Sequence, residues 1–127
     1  VPQLGVFSLP FIFKDENHLH KVLDGEVGEK LLNMVTKKGY VALAYWDNGF
    51  KQMSDNVRPL IKPSDAKGLK FRVMNSKVLM AQFKAIGAIP EPLPFSEVYS
   101  ALQQGVVDGQ ENTISNIYTK KFYEVQK

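Results

Sequence analysis

Hydrophobic and polar positions change rhythm along this chain, and the changes mark its elements. The opening "QLGVFSLPFIF" is apolar but broken by proline, which reads as a loop or irregular extended segment. "DENHLHKVLDG" follows as a short helix with Asp15 or Asn17 at its N-cap. In "GEVGEKLLNMVTKKG" the apolar residues Val27, Leu31, Met34 and Val35 sit at helical spacing. Lys37 and Lys38 suit the negative end of the helix dipole there, and Gly39 suits a left-handed residue just past it. "YVALAYW" is β-branched and aromatic over seven residues and predicts a buried strand. "DNGFKQMSDNVRPLIKPSDAK" is rich in Asp, Asn, Gly, Ser and Pro and predicts a long connection.

From Leu69 onward the pattern becomes regular. In "LKFRVM", Leu69, Phe71 and Val73 alternate with Lys70, Arg72 and Met74, the two-residue period of a strand. "SKVLMAQFKAIG" predicts a helix closing at Gly87. "AIPEPLP" predicts a short extended piece that its prolines confine to an edge or a strand end. "SEVYSALQQG" predicts a helix from Ser96 to Gly105, and "VVDG" a short strand. "ISNIYTKKFYEVQ" predicts an amphipathic helix with Ile114, Ile117, Tyr118, Phe122 and Val125 toward the core. Strands alternating with helices of this length favour parallel pairing and an α/β class.

Composition narrows the function classes. The 127 residues are 44% hydrophobic, enough for a compact core. With no cysteine there is neither a disulfide framework nor a thiolate metal site. No apolar run approaches the roughly 20 residues that span a bilayer. The chain starts at Val1 without a charged-then-apolar leader, so a signal peptide, where one existed, was removed or never included. The net charge of +3 is concentrated: residues 48–80 carry seven Lys or Arg against Asp55 and Asp65, whereas each flank is slightly acidic. Such a stretch is either a solvated basic face or a local field that attracts an anion. Nucleic acid is the weaker partner, because the total charge is small and no basic run interleaves with aromatics.

Arg72 is one of two arginines in a lysine-rich chain. In the strand reading it points with Lys70 away from Phe71 and Val73, just before Asn75 or Ser76 caps the next helix. Open α/β sheets bind ligands beyond the carboxyl ends of their strands, where helix N-termini direct free N–H groups outward. A guanidinium at that edge can take a carboxylate through two parallel hydrogen bonds, which lysine cannot do. The competing reading pairs Arg72 with a structural acid, Asp108 or Glu111. The turn after "VVDG" places Gln110, Glu111 and Asn112 at a second carboxyl edge, beside Arg72 if the strands are neighbours. Asn112 there is either a ligand donor and acceptor or a helix cap. "LPFSEV" supplies a third turn, with Phe95 ahead of a Ser96 cap.

Other chemistry is poorly supported. His18 and His20 are two apart and do not share a helix face, so no metal site is expected. Gly105 and Gly109 form neither a dinucleotide fingerprint nor a phosphate loop, and no cofactor is implied. Nothing positions a nucleophile, and no enzyme signature is present.

The blocks "WDNGFKQMS", "RPLIKPSDAKGLKFRV", "FSEVYSALQQGVVDGQEN" and "SNIYTKKFYEVQK" together resemble the solute-binding proteins of TRAP (tripartite ATP-independent periplasmic) transporters, most closely the dicarboxylate-binding branch. The resemblance runs over essentially the whole chain. It implies the middle of an exported, periplasmic, two-lobed α/β protein, with parallel or mixed sheets flanked by helices. Such a protein closes over a small organic acid and delivers it to membrane permease subunits. Residues 1–48 would be part of lobe one ending in a hinge strand, and residues 49–127 most of lobe two. The family's carboxylate-binding arginine falls on Arg72, its asparagine on Asn112 and its pocket aromatic on Phe95. Asn75 and Ser76 occupy a ligand-contacting turn, and Lys51 a second basic position. Thr113 stands where the family has proline after "QEN", which should loosen the following helix start.

The resemblance implies capture of a four-carbon dicarboxylate without chemistry. Arg72→Lys is then expected to weaken binding at least tenfold with stability hardly changed. The alternative is an α/β enzyme acting on a small organic acid, with Asp108 or Glu111 as base. The isolated segment is expected to bind ligand poorly, and to self-associate or exchange elements between copies.

Overall fold

A computed structural model describes residues 2–126. The chain divides into two compact units, Val1–Asp47 and Asn48–Lys127.

In the first unit a 3-10 turn, Pro2–Ser8, precedes two helices, α1 (Glu16–Leu23) and α2 (Glu26–Thr36). Asp15 starts α1, its carboxylate accepting a bond of 2.8 Å from the His18 N–H. Leu31 and Gly28 are the buried residues of α2, whereas Val27 is exposed. "YVALAYW" does not form the strand its composition predicts. Val41, Leu43 and Trp46 are 82%, 90% and 96% exposed, and no ladder partner runs beside them among the described residues. β-Branched and aromatic residues favour a strand only where a neighbour supplies hydrogen bonds and a packing face. Tyr45 alone is tied back, donating a 2.7 Å bond to the Gly28 carbonyl.

The second unit is built on a four-stranded sheet in the order β1-β4-β2-β3, with β1 Lys51–Asp55, β2 Lys70–Val73, β3 Ile89–Pro92 and β4 Gly109–Thr113. β2 runs parallel to both β3 and β4, but β1 runs antiparallel to β4. The α/β class holds, and the sheet is mixed instead of wholly parallel. β1 lies inside the stretch expected to be a connection, and β4 begins where "VVDG" was expected to end. Both strands are polar, so no apolar alternation announces them. They pair at close range because Gly109 faces β1 without a side chain: a Cβ there would meet the Ser54 carbonyl oxygen and lie 2.7 Å from the Phe71 ring.

α3 (Lys77–Ala85) and α4 (Val98–Gln103) connect β2 to β3 and β3 to β4. The chain moves outward to edge strand β3 and then back past β2. Right-handed crossovers therefore lay the two helices on opposite faces. One core packs Phe71 and Val73 against Leu79 and Phe83, the two rings 5.1 Å apart. The other gathers Val98, Ala101, Leu102, Val107 and Phe122. Ser76 caps α3, and Gly87, at φ +80°, lets the chain leave it. The proline-bearing β3 is the expected edge strand.

The last helix differs from expectation. α5 spans only Ile114–Thr119, and Lys121 then turns left-handed (φ 55°) into a 3-10 turn, Phe122–Glu124. The break resets the helical phase. Phe122 is buried and Ile117 and Val125 pack against it, but Ile114 and Tyr118 are 69% and 71% exposed.

Candidate functional site

The alternation of β2 places Arg72 on the face opposite Phe71 and Val73, and its register partner on parallel β4 is Gln110. Gln110 and Asn112 share that face of β4. Glu111 takes the other. Arg72 is 2% exposed. Its Nε and Nη2 both donate to the Leu93 carbonyl, at 3.0 and 2.8 Å. Its guanidinium carbon lies 5.7 Å from the centre of the Phe95 ring, within cation–π range. Nη1 and one Nη2 hydrogen have no partner among the described residues. Burial lowers the guanidinium pKa, opposed by the nearby Glu111 charge. The group stays protonated all the same.

Neither acid expected to compete for Arg72 does so. Asp108 accepts the Lys70 N–H at 2.7 Å, joining the start of β2 to the approach to β4. Glu111 is bound through both oxygens, at 2.9 and 2.8 Å, to the Lys51 ammonium. Burial raises the Glu111 pKa, with Lys51 and then Arg72 pulling it back. Lys51 is 35% exposed at its side chain, so its attraction is partly screened and burial prevails. No acid forms an ion pair with Arg72 among the described residues. It is a buried cation held by neutral groups only. Such a cation is costly to bury, and a carboxylate reaching it from outside would offset that cost.

Asn112 closes the carboxyl end of β4. Its Oδ1 accepts from the Thr113 N–H at 3.1 Å and from Asn116 Nδ2 at 2.8 Å, which fixes the amide and leaves its own NH2 as the group able to donate outward. Asn112 is not the cap of α5. That role falls to Thr113, whose hydroxyl accepts from the Asn116 N–H at 3.5 Å and lies 3.0 Å from the Ser115 hydroxyl. The helix start that a missing proline was expected to loosen is thus capped by the residue in its place.

Phe95 stands at the head of a 3-10 turn, Phe95–Glu97, that leads into α4. Ser96 does not cap that helix: its N-cap is Glu97, and no side chain bonds there. The Phe95 ring meets Phe122 edge-on at 6.0 Å and is 38% exposed. Asn75 is exposed and Ser76 half-buried in the turn after β2, where the Ser76 hydroxyl accepts the Leu79 N–H at 3.4 Å. No hydrogen bond among the described residues joins either to Arg72. The structure therefore brings Arg72 and Phe95 into contact, with Asn112 one strand away on the same face. Asn75 and Ser76 follow Arg72 in the turn after β2, and Lys51 is engaged by Glu111. Two neighbours of the cluster had no signal in the sequence. The Leu93 carbonyl is a backbone group, and Lys120, with its ammonium 5.8 Å from the Phe95 centre, lay in a helix expected to continue.

Elsewhere both histidines are engaged. His18 accepts the Lys14 N–H through Nδ1 at 3.3 Å, and His20 Nε2 lies 3.5 Å from Asp47. No cluster of acids and histidines fit for a metal ion occurs among the described residues. No helix among them is long and apolar enough to cross a membrane. A concavity of about 350 Å³ lies on α2, lined by Glu26, Glu29, Lys30, Asn33, Met34 and Lys37. All its walls come from one helix and none of the expected site residues belongs to it, so volume alone does not locate a ligand site here.

A mixed α/β sheet that holds a desolvated guanidinium at its carboxyl edge, beside an aromatic ring and a fixed amide, is a module suited to gripping a small anion. The chain belongs to the DctP family, the bacterial extracellular solute-binding proteins of family 7, whose model matches residues 1–127. The C4-dicarboxylate-binding periplasmic protein DctP of Rhodobacter capsulatus is 56% identical over 127 residues, which is 100% of this chain and 38% of that protein. A TRAP periplasmic solute-binding protein from Sulfurospirillum deleyianum, solved with bound succinate, is 67% identical with a TM-score of 0.97 over 99% of this chain and 41% of its own. A Polaromonas counterpart with bound D-erythronate is 46% identical, with a TM-score of 0.98 over 100% of this chain and 42% of its own. The chain thus spans about two fifths of the length of the relatives it matches.

Proposed function

We propose that this chain forms part of the extracytoplasmic, periplasmic solute-binding component of a TRAP-type secondary transporter. It captures a small organic acid, best matched by a four-carbon dicarboxylate, and the whole protein passes the acid unchanged to membrane permease subunits. The observation that carries the reading is the buried Arg72 guanidinium, oriented by Leu93 and Phe95 and left without a carboxylate of its own. In this reading residues 49–127 supply most of lobe two and residues 1–48 part of lobe one. Arg72 takes one carboxylate of the ligand. Asn112 and the Asn75–Ser76 turn orient it, Phe95 packs on it, and Lys51 adds charge at the same strand ends from its pair with Glu111.

Two features favour binding over catalysis. Asp108 is spent on the backbone of β2, and Glu111 is sequestered with Lys51 on the other face of β4, so neither is placed to abstract a proton from an acid at Arg72. The test is a thermal-shift and calorimetric screen of the full-length protein carrying this segment against succinate, malate, fumarate and sugar acids, with NMR of the recovered ligand. Stabilisation by at least one acid and its return unaltered are expected. Product formation would favour the enzyme reading, and no response to any acid would end the proposal.

A further inference from the structure

Resting on the reading above, we infer that Lys120 is a specificity-determining residue of the same site, favouring dianionic over monoanionic ligands. The Phe95 ring carries two cations, the Arg72 guanidinium carbon at 5.7 Å from its centre and the Lys120 Nζ at 5.8 Å. The two charges are therefore no further apart than those two distances together allow, and a small diacid held at Arg72 lies in the field of both.

The placement of Lys120 is not incidental to the helix. Left to continue, α5 would carry the sequence "TKKF" on around its axis. Instead Lys120 is the last residue of the turn, its N–H bonded to the Asn116 carbonyl at 3.0 Å, and Lys121 takes a left-handed conformation. That bend drives Phe122 into the core, where it meets Phe95 edge-on. The two adjacent lysines are thereby separated in role. Lys121 pairs with Glu124 at 3.4 Å, whereas Lys120 has no acidic partner among the described residues and lies over Phe95. A lysine on an exposed turn with nothing to hold ordinarily extends into water. This one rests against the aromatic ring that also carries the carboxylate-binding arginine, with no acid among the described residues to offset it.

The charge acts through space and is partly screened, because Lys120 is exposed. Its effect grows with ligand charge: the second carboxylate of a dianion adds an attraction that a monoanion lacks, while contacts that depend on shape are unchanged. The comparison uses succinate and succinamate, which share a skeleton but differ by one negative charge. Calorimetry on the full-length protein carrying this segment is expected to show that Lys120→Met lowers the succinate-to-succinamate affinity ratio about three- to tenfold. Lys120→Arg should restore the ratio. Raising the salt concentration should shrink it more steeply in the unsubstituted protein than in Lys120→Met. Equal losses for both ligands, or an unchanged ratio with binding intact, would overturn the assignment of Lys120 while leaving the solute-binding reading in place. Failure of the unsubstituted protein to bind either diacid or monoacid would overturn both.

Discussion

Replacing Arg72 by lysine keeps the charge and removes the fork. Arg72 spends Nε and one Nη2 hydrogen on the Leu93 carbonyl, which leaves Nη1 and the second Nη2 hydrogen to meet a carboxylate. A lysine ammonium in the same place has a single nitrogen. It can approach Leu93 or the ligand well, but cannot present two parallel donors to the ligand while holding the carbonyl, and it has no plane to lay on Phe95. The loss on binding is one charge-assisted bond, about 1.5–3 kcal/mol. At about 1.4 kcal/mol per tenfold, that is a Kd raised roughly ten- to 150-fold. The structure also revises the expectation that stability is hardly touched. With Arg72 2% exposed and doubly bonded to Leu93, losing one of those bonds should cost about 1 kcal/mol of folding stability. Titration calorimetry with succinate on the full-length protein carrying this segment, with urea unfolding alongside, reads both quantities. A Kd within twofold of the unsubstituted value would refute the claim that Arg72 grips the ligand by its fork. An unchanged unfolding midpoint would refute its role in holding the 3-10 turn to the sheet.

Two further outcomes follow from the sheet. The Glu111 pKa is raised by burial, so between the ordinary carboxyl range and the raised value the folded state keeps a proton that the unfolded chain has released; stability should fall as pH rises through that window. Glu111→Gln should flatten this slope in unfolding midpoints measured from pH 4 to 8, and a slope that persists would assign it to another group. Gly109→Ala would thrust a Cβ into the Ser54 carbonyl and to 2.7 Å from the Phe71 ring, and should cost about 1–3 kcal/mol in urea unfolding by prising β1 from β4; a neutral outcome would mean the β1–β4 spacing is looser than it looks.

The elements that were legible in the sequence are those with a period and a stop. β2 has clean alternation, α3 lies between Ser76 and Gly87, and β3 carries the prolines of an edge. The polar half of the sheet was illegible for the same reason. β4 buries every one of its residues, yet reads "GQENT", because its side chains bond mainly to polar groups of β1 and α5 instead of packing into an apolar core; the Gln110 Oε1 alone is buried without a partner among the described residues of the strand. Lys51 holds Glu111, and Gln110 Nε2 donates to the Ser54 hydroxyl at 2.8 Å, which in turn donates to Gln126 at 2.6 Å. Pairwise satisfaction across strands leaves no periodic trace, so "KQMSD" looked like a loop and "QENT" like a cap. "YVALAYW" failed in the opposite sense. It had the composition of a strand but no ladder beside it among the described residues.

The two arginines differ in how their bonds and surroundings leave the guanidinium. Arg58 donates from Nε to the Asp65 carbonyl at 2.7 Å and from Nη2 to the Lys67 carbonyl at 2.6 Å, tying together an exposed turn. Arg72 directs the same two nitrogens at one carbonyl, Leu93. Both side chains are thus anchored by backbone oxygens, and residue type alone could not tell them apart. What differs is the surroundings. Arg58 spreads its donors over two carbonyls in water, where little is lost if a bond opens. Arg72 gathers its bonds on one side of the guanidinium in a desolvated position, with Phe95 against the plane. The unbonded edge is thereby fixed in direction. A carboxylate arriving there meets a donor pair that needs no reorganisation, and that advantage comes from burial combined with asymmetry of bonding. Of the proposed site the sequence singled out Arg72, whereas its contacts with Leu93 and with the turn that carries Phe95 come only with the folded chain.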